Sequence, residues 1–187
     1  MTAKLSPEEM QSFAEEGLVK PDCRLPEQAM QRMRALTDNT LVATQGQPPE
    51  SIVCPYLPGW NGLPEAITDE WLAIAGTPEI VDYVAAVLGS DIILWGGQFF
   101  CKPAYTGLEV PWHQDGEYWP ITPLKTCSVW LAIDDVTSEN GCMRYIPGSH
   151  KNAELFPHRQ DEREDLVLNQ VTEEAYFDAG TAKDDEL

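Results

Sequence analysis

The spacing of apolar positions changes character near residue 90. Before it the period is helical. Ser6-Pro7-Glu8-Glu9 predicts a helix start: Ser6 caps, Pro7 suits the first helical position and Glu9 completes a capping box. Met10, Phe13 and Ala14 recur on one face, and Gly17 closes the helix. A second helix is predicted over Pro26–Leu36. Thr44 to Pro64 is rich in Gly and Pro and reads as a long surface loop. Thr68 is read as the cap of a short helix ending at Ala75. Thr77-Pro78-Glu79 opens a firmer helix with Ile80, Val81, Val84, Val87 and Leu88 on its apolar face. Gly89 ends it, and it is expected to pack on a sheet as a core helix.

After residue 90 the period falls to two. Ile92–Trp95 begins the strand region, and Gly96-Gly97 breaks it. In Gln98–Lys102, Gln98, Phe100 and Lys102 share one side, and Phe99 and Cys101 the other. Cys127–Ile133 is an apolar run with Ser128, Trp130 and Ala132 on one side. Asn140-Gly141 is a hairpin signal, and the run Cys142–Ile146 stops at Pro147-Gly148. Beyond Lys151, Arg159–Asp165 reads as a solvated loop, Leu166–Leu168 as a short strand, and Ala179–Leu187 as a disordered acidic end. The predicted class is α+β, an antiparallel barrel or jelly roll flanked by N-terminal helices. The predicted organisation is one domain over 1–187: helical support and loop to residue 90, strands over 91–170, and an acidic tail over 171–187.

Composition narrows the partners. A chain of 187 residues with 43% hydrophobic content can bury a core. Its net charge of −19 argues against nucleic acid and anionic membrane surfaces. No segment is long and apolar enough to span a membrane, and MTAKLSPEEM lacks the parts of a signal peptide. The five cysteines are scattered without a CxxC pair, as free thiols in a reducing cytoplasm would be. The terminal Asp-Asp-Glu-Leu resembles a retention signal only loosely, so a cytoplasmic location is expected.

The candidate chemistry lies in His113-Gln114-Asp115. Side chains two apart on a strand point the same way, so the imidazole of His113 and the carboxylate of Asp115 can converge. With a second histidine they would form the facial triad that holds Fe(II) and leaves open positions. Alone, His-x-Asp is a weak signal. Its company is specific: WHQDGEYWPI, SVWLAIDD and ENGCMRYIPGSHK, in this order, resemble the phytanoyl-CoA dioxygenase family of Fe(II)/2-oxoglutarate oxygenases. The resemblance is close from Gln98 to Lys151 and weaker from the N-terminus.

That resemblance implies a double-stranded β-helix (a cupin-like jelly roll), iron held by His113 and Asp115, and 2-oxoglutarate as cosubstrate. It places Gln98 and Trp130 beside 2-oxoglutarate, with Lys102 near it. An outward Lys102 and a core Trp130 are the rival readings. Tyr118 and Trp119 stand just past the motif, where they either pack on substrate or form an exposed rim. The implied reaction hydroxylates a small organic substrate with O₂ and converts 2-oxoglutarate to succinate; Asp115 favours hydroxylation over halogenation.

The chain departs from the family pattern in one respect. The family's second metal histidine and its 2-oxoglutarate-binding arginine follow late in the sequence. Here the remaining histidines are His150 and His158, and the last arginine is Arg163. His150 matches a Pro-Gly-Ser-His turn that is not a ligand position. The chain is therefore expected to correspond to the N-terminal two-thirds of such an enzyme, with the barrel incomplete. Unpaired strand edges would then favour poor solubility or a domain-swapped homo-oligomer. The alternative reading is a catalytically inactive jelly-roll binding or interaction module.

Overall fold

The computed structural model describes residues 4–187. They form two compact units. The first comprises 4–5, 22–107 and 127–135; the second comprises 6–21, 108–126 and 136–187.

The first unit is helical. Helix α2 spans Glu27–Ala43, α3 Glu65–Ala75 and α4 Pro78–Leu88. Proline sets each start: Pro26 and Pro64 take extended backbone just before their helices, and Pro78 opens α4. The second predicted helix thus runs seven residues past Leu36, since nothing in 37–43 breaks it. Thr68 is not a cap. It lies inside α3, fully buried, with its hydroxyl donating to the Glu65 carbonyl. The core of the unit joins Leu36, Ile52, Trp71 and Phe99, and the Trp71 and Phe99 rings meet edge to face at 4.7 Å. Trp71 Nε1–H donates to Thr40 Oγ1 at 2.9 Å, tying α3 to α2. The predicted surface loop 44–64 is therefore partly internal: Ile52 is 0% exposed and central to this core. Helix α4 buries none of its residues fully. It is not the expected helix packed on a sheet, because among the described residues its unit contains no strand, only the antiparallel bridge Val53–Gln98.

The second unit holds α1, Pro7–Glu16, and the four strands found among the described residues. Helix α1 matches its prediction at both ends: Ser6 and Glu9 form the capping box, and Gly17 closes it at φ 86°. Strand β1 (Met143–Tyr145) pairs antiparallel with β4 (Lys183–Asp185); β2 (His158–Gln160) pairs antiparallel with β3 (Gln170–Thr172). The acidic end expected to be disordered is thus a strand, with Asp185 buried and Arg144 bound to Asp184 at 2.9 Å. Arg159–Asp165 likewise begins inside β2 rather than in a solvated loop. The short strand expected at Leu166–Leu168 is only an isolated parallel bridge, Leu166 to Glu109. Asn140-Gly141 makes no hairpin. It ends a 3₁₀ turn, with Gly141 left-handed at φ 88°, and β1 finds its partner at the far end of the chain instead.

The structure corrects the jelly-roll expectation. Among the described residues helix and sheet are mixed, and no closed barrel forms. Gln98–Lys102 makes one bridge, and Cys127–Ile133 carries no strand. Extended segments become a ladder only where a neighbour presents its N–H and C=O groups, and these segments lack that neighbour. Ile93 is accordingly 90% exposed and Trp95 54%. Among the described residues no single helix is long and apolar enough to cross a membrane.

Candidate functional site

His113, Gln114 and Asp115 lie in the second unit. Gln114 is extended (φ −119°, ψ 122°), and Asp115 opens a 3₁₀ turn, Asp115–Glu117. The chain therefore bends directly after Gln114, and period-two alternation does not apply. The two side chains still converge: His113 Nε2 lies 3.3 Å from Asp115 Oδ1. The glycine that follows sits close to two side chains: a Cβ at Gly116 would come within 3.0 Å of Leu155 and 3.1 Å of Leu124, which would have to give way.

The ring of His113 is anchored from behind. Its Nδ1 lies 2.8 Å from the Pro111 carbonyl. A carbonyl only accepts, so Nδ1 carries a proton and Nε2 faces Asp115. Burial pulls the imidazole pKa down. The hydrogen bond and charge of Asp115, together with the Pro111 carbonyl, outweigh it and raise the pKa above its usual value. Two ligands at right angles, each about 2.1 Å from a metal, stand about 3 Å apart. The observed 3.3 Å fits two adjacent positions of such a centre. The donor set stops there: among the described residues no three His, Cys, Asp or Glu side chains gather closely enough to hold a metal ion.

Neither remaining histidine supplies a third ligand. The side chain of His158 is fully buried, with Nδ1 2.8 Å from the Phe156 carbonyl and Nε2 3.2 Å from the Gln114 amide nitrogen and 3.0 Å from the Thr172 hydroxyl. His150 Nε2 meets the Ala14 carbonyl at 3.1 Å. The arginines of this unit are committed as well. Arg144 holds Asp184, Arg159 holds Asp161, and Arg163 spans Glu109 and Asp165 at 2.7 Å each.

Tyr118, expected at a pocket mouth, uses its hydroxyl structurally. It donates to the Gln170 carbonyl at 2.6 Å and accepts from the Gln170 amide at 3.1 Å. Burial pushes its phenol pKa up. Its ring stands edge-on to that of His113, with centroids 6.2 Å apart. Trp119 is half-buried. Gln98, Lys102 and Trp130 belong to the first unit. There the predicted alternation holds: Phe99 is buried, and Gln98, Phe100 and Lys102 are exposed. Gln98 donates its side-chain amide to the Glu50 carbonyl at 3.1 Å, and Trp130 is half-buried.

Sequence reasoning missed the part played by His158 and Thr172. They face each other across β2 and β3 and reach the motif from 44 residues away or more. No local spacing announces that; only the pairing of β2 with β3 does.

The sequence matches the model of the family described as phytanoyl-CoA dioxygenase (PhyH) over residues 13–186. The peroxisomal phytanoyl-CoA dioxygenase of Mus musculus is 37% identical over 86 residues, covering 43% of this chain and 25% of the mouse protein. A phytanoyl-CoA dioxygenase domain-containing protein 1 homolog of Dictyostelium discoideum is 46% identical over 57 residues, covering 30% of this chain and 20% of that protein. A probable alpha-ketoglutarate-dependent hypophosphite dioxygenase of Stutzerimonas stutzeri is 32% identical over 90 residues, covering 48% of this chain and 31% of that protein. Each match thus spans less than a third of the relative's length. No solved structure matches.

Proposed function

The chain belongs to the phytanoyl-CoA dioxygenase family, and from that premise we propose that it serves an Fe(II)- and 2-oxoglutarate-dependent dioxygenase that hydroxylates a small organic substrate. The observation that carries the reading is the pair His113 Nε2 and Asp115 Oδ1, 3.3 Å apart with the ring locked through Nδ1. The printed name of the Stutzerimonas stutzeri relative, alpha-ketoglutarate-dependent, supports the cosubstrate. Iron, when bound, would couple O₂ activation to the loss of CO₂ from 2-oxoglutarate; succinate and a hydroxylated substrate are the products.

The residues of this chain prepare that site. Pro111 holds the proton of His113 on Nδ1, so the opposite nitrogen keeps its lone pair for metal. Asp115 supplies a negative oxygen beside it, which favours a divalent cation. The bend after Gln114 sets the angle between the two donors.

A second reading, a binding module without turnover, is favoured by the two-donor set. One experiment separates them. The anaerobic chain is titrated with Fe(II), and succinate is then followed with 2-oxoglutarate and O₂. Under the first reading succinate forms and His113→Ala abolishes it. Weak Fe(II) binding that requires both His113 and Asp115, without succinate, selects the second. Metal binding indifferent to both substitutions refutes the assignment of the site.

A further inference from the structure

We propose that His158 is a positioning residue for the metal-binding motif: its buried imidazole fixes the Gln114 peptide and so sets the geometry of the two donors beside it. The inference rests on the reading that His113 and Asp115 hold the metal.

Gln114 separates the two donors, and it is held at three points. Its backbone N–H points at His158 Nε2, 3.2 Å away. Its side-chain amide donates to the Glu154 carbonyl at 3.0 Å. Its side-chain oxygen accepts from the Phe156 amide at 2.7 Å. The amide nitrogen of Gln114 is part of the peptide that joins it to His113. Turning that peptide would swing the imidazole on one side and the carboxylate on the other.

The partners of His158 settle its tautomer. The Phe156 carbonyl, 2.8 Å from Nδ1, can only accept, so the ring proton sits on Nδ1. Nε2 is left as the acceptor that the Gln114 N–H requires. The Thr172 hydroxyl stands 3.0 Å from the same nitrogen. Both ring nitrogens are thereby in use, which bars the ring from metal ligation but suits it to positioning. Glu117, in the turn that begins at Asp115, places Oε2 3.8 Å from Nδ1.

Strand β3 continues the grip. Thr172 N–H donates to the Trp112 carbonyl at 2.9 Å, just before the motif. The Gln170 backbone engages Tyr118 just after it. The paired strands β2 and β3 therefore hold the metal segment before, within and beyond its donors. Partners one step removed from a metal commonly change its affinity 10–100-fold when lost.

The test combines an undisturbed protein with three variants. In the wild-type chain without metal, ¹⁵N NMR of the His158 ring is expected to show the Nδ1–H tautomer, and the Gln114 amide is expected to exchange slowly. A proton on Nε2 would overturn the proposal. Wild type, His158→Leu, His158→Gln and His113→Ala are then titrated with Co(II) and followed by its visible absorption. His158→Leu is expected to bind about tenfold or more weakly, with an altered spectrum and unchanged circular dichroism. His158→Gln, whose amide oxygen can accept in place of Nε2, is expected to recover most of the affinity. Should the leucine variant fail to fold, the glutamine variant and the ring tautomer decide. Wild-type Co(II) affinity and spectrum in His158→Leu, with binding abolished in His113→Ala, would overturn the inference alone. Undiminished binding in His113→Ala would overturn the metal reading and this inference with it.

Discussion

Replacing Tyr118 with phenylalanine removes one oxygen and two hydrogen bonds, both to the backbone of Gln170 in β3. The ring stays, so little apolar contact is lost. A net hydrogen bond is worth about 0.5–1.5 kcal/mol. Two would total about 1–3 kcal/mol, and because the side chain is only partly buried, water recovers some of this. The expected loss is about 1–2 kcal/mol. In urea, with a slope of about 2 kcal/mol per molar, the midpoint should fall by roughly 0.5–1 M with the slope unchanged. Thermal unfolding should move down by about 3–6 °C. Exchange of the Gln170 amide gives the local readout, since that N–H loses its acceptor. A midpoint within about 0.1 M of wild type, with Gln170 still protected, would refute the idea that the phenol holds β3. A raised KM without loss of stability would instead return Tyr118 to the substrate-facing part expected from its position in the sequence.

Three further outcomes are expected. Thr40→Val keeps the shape of the side chain but strands the buried Trp71 N–H, and should cost about 1–3 kcal/mol by urea unfolding; an unchanged midpoint refutes it. Gly17→Ala places a Cβ within 2.5 Å of His150 Nδ1 at φ 86°, so it should destabilise by about 2 kcal/mol or more, and His150→Ala in the same chain should restore only the steric part. In the metal-free protein His113 should titrate above 6.5; its stabilisation is then full below the unfolded-state value and fades as pH rises through the folded value. NMR titration checks this, and Asp115→Asn should lower the midpoint.

Features that depend on a few adjacent residues were legible in the sequence. Ser6, Glu9 and Gly17 carry their own capping chemistry, and α1 begins and ends where they say. Thr68 misled because Thr is a common cap, whereas Pro64 already supplies the extended residue before α3. His113 and Asp115 do converge, but through a 3₁₀ bend and not through strand alternation. Long-range pairings left no local trace. β1 meets β4 some 40 residues on, and charge makes the acidic end pair: Arg144 and Lys20 take Asp184 and Asp185. The barrel strands were read from alternation alone, and alternation does not supply a neighbour.

The pairing of Glu16 with Lys183, 167 residues apart at 2.9 Å, has a consequence for synthesis on the ribosome. Helix α1 emerges well before Tyr145, Lys183 and Asp185, which grip Glu16 and Lys20. At about 5–20 residues per second the helix waits roughly 8–33 s for Lys183. A ten-residue helix is marginal in water by itself, so it spends that interval fraying. The interval is a window for chaperones and proteases, and synonymous codons that slow translation between α1 and β4 would lengthen it without altering a single side chain.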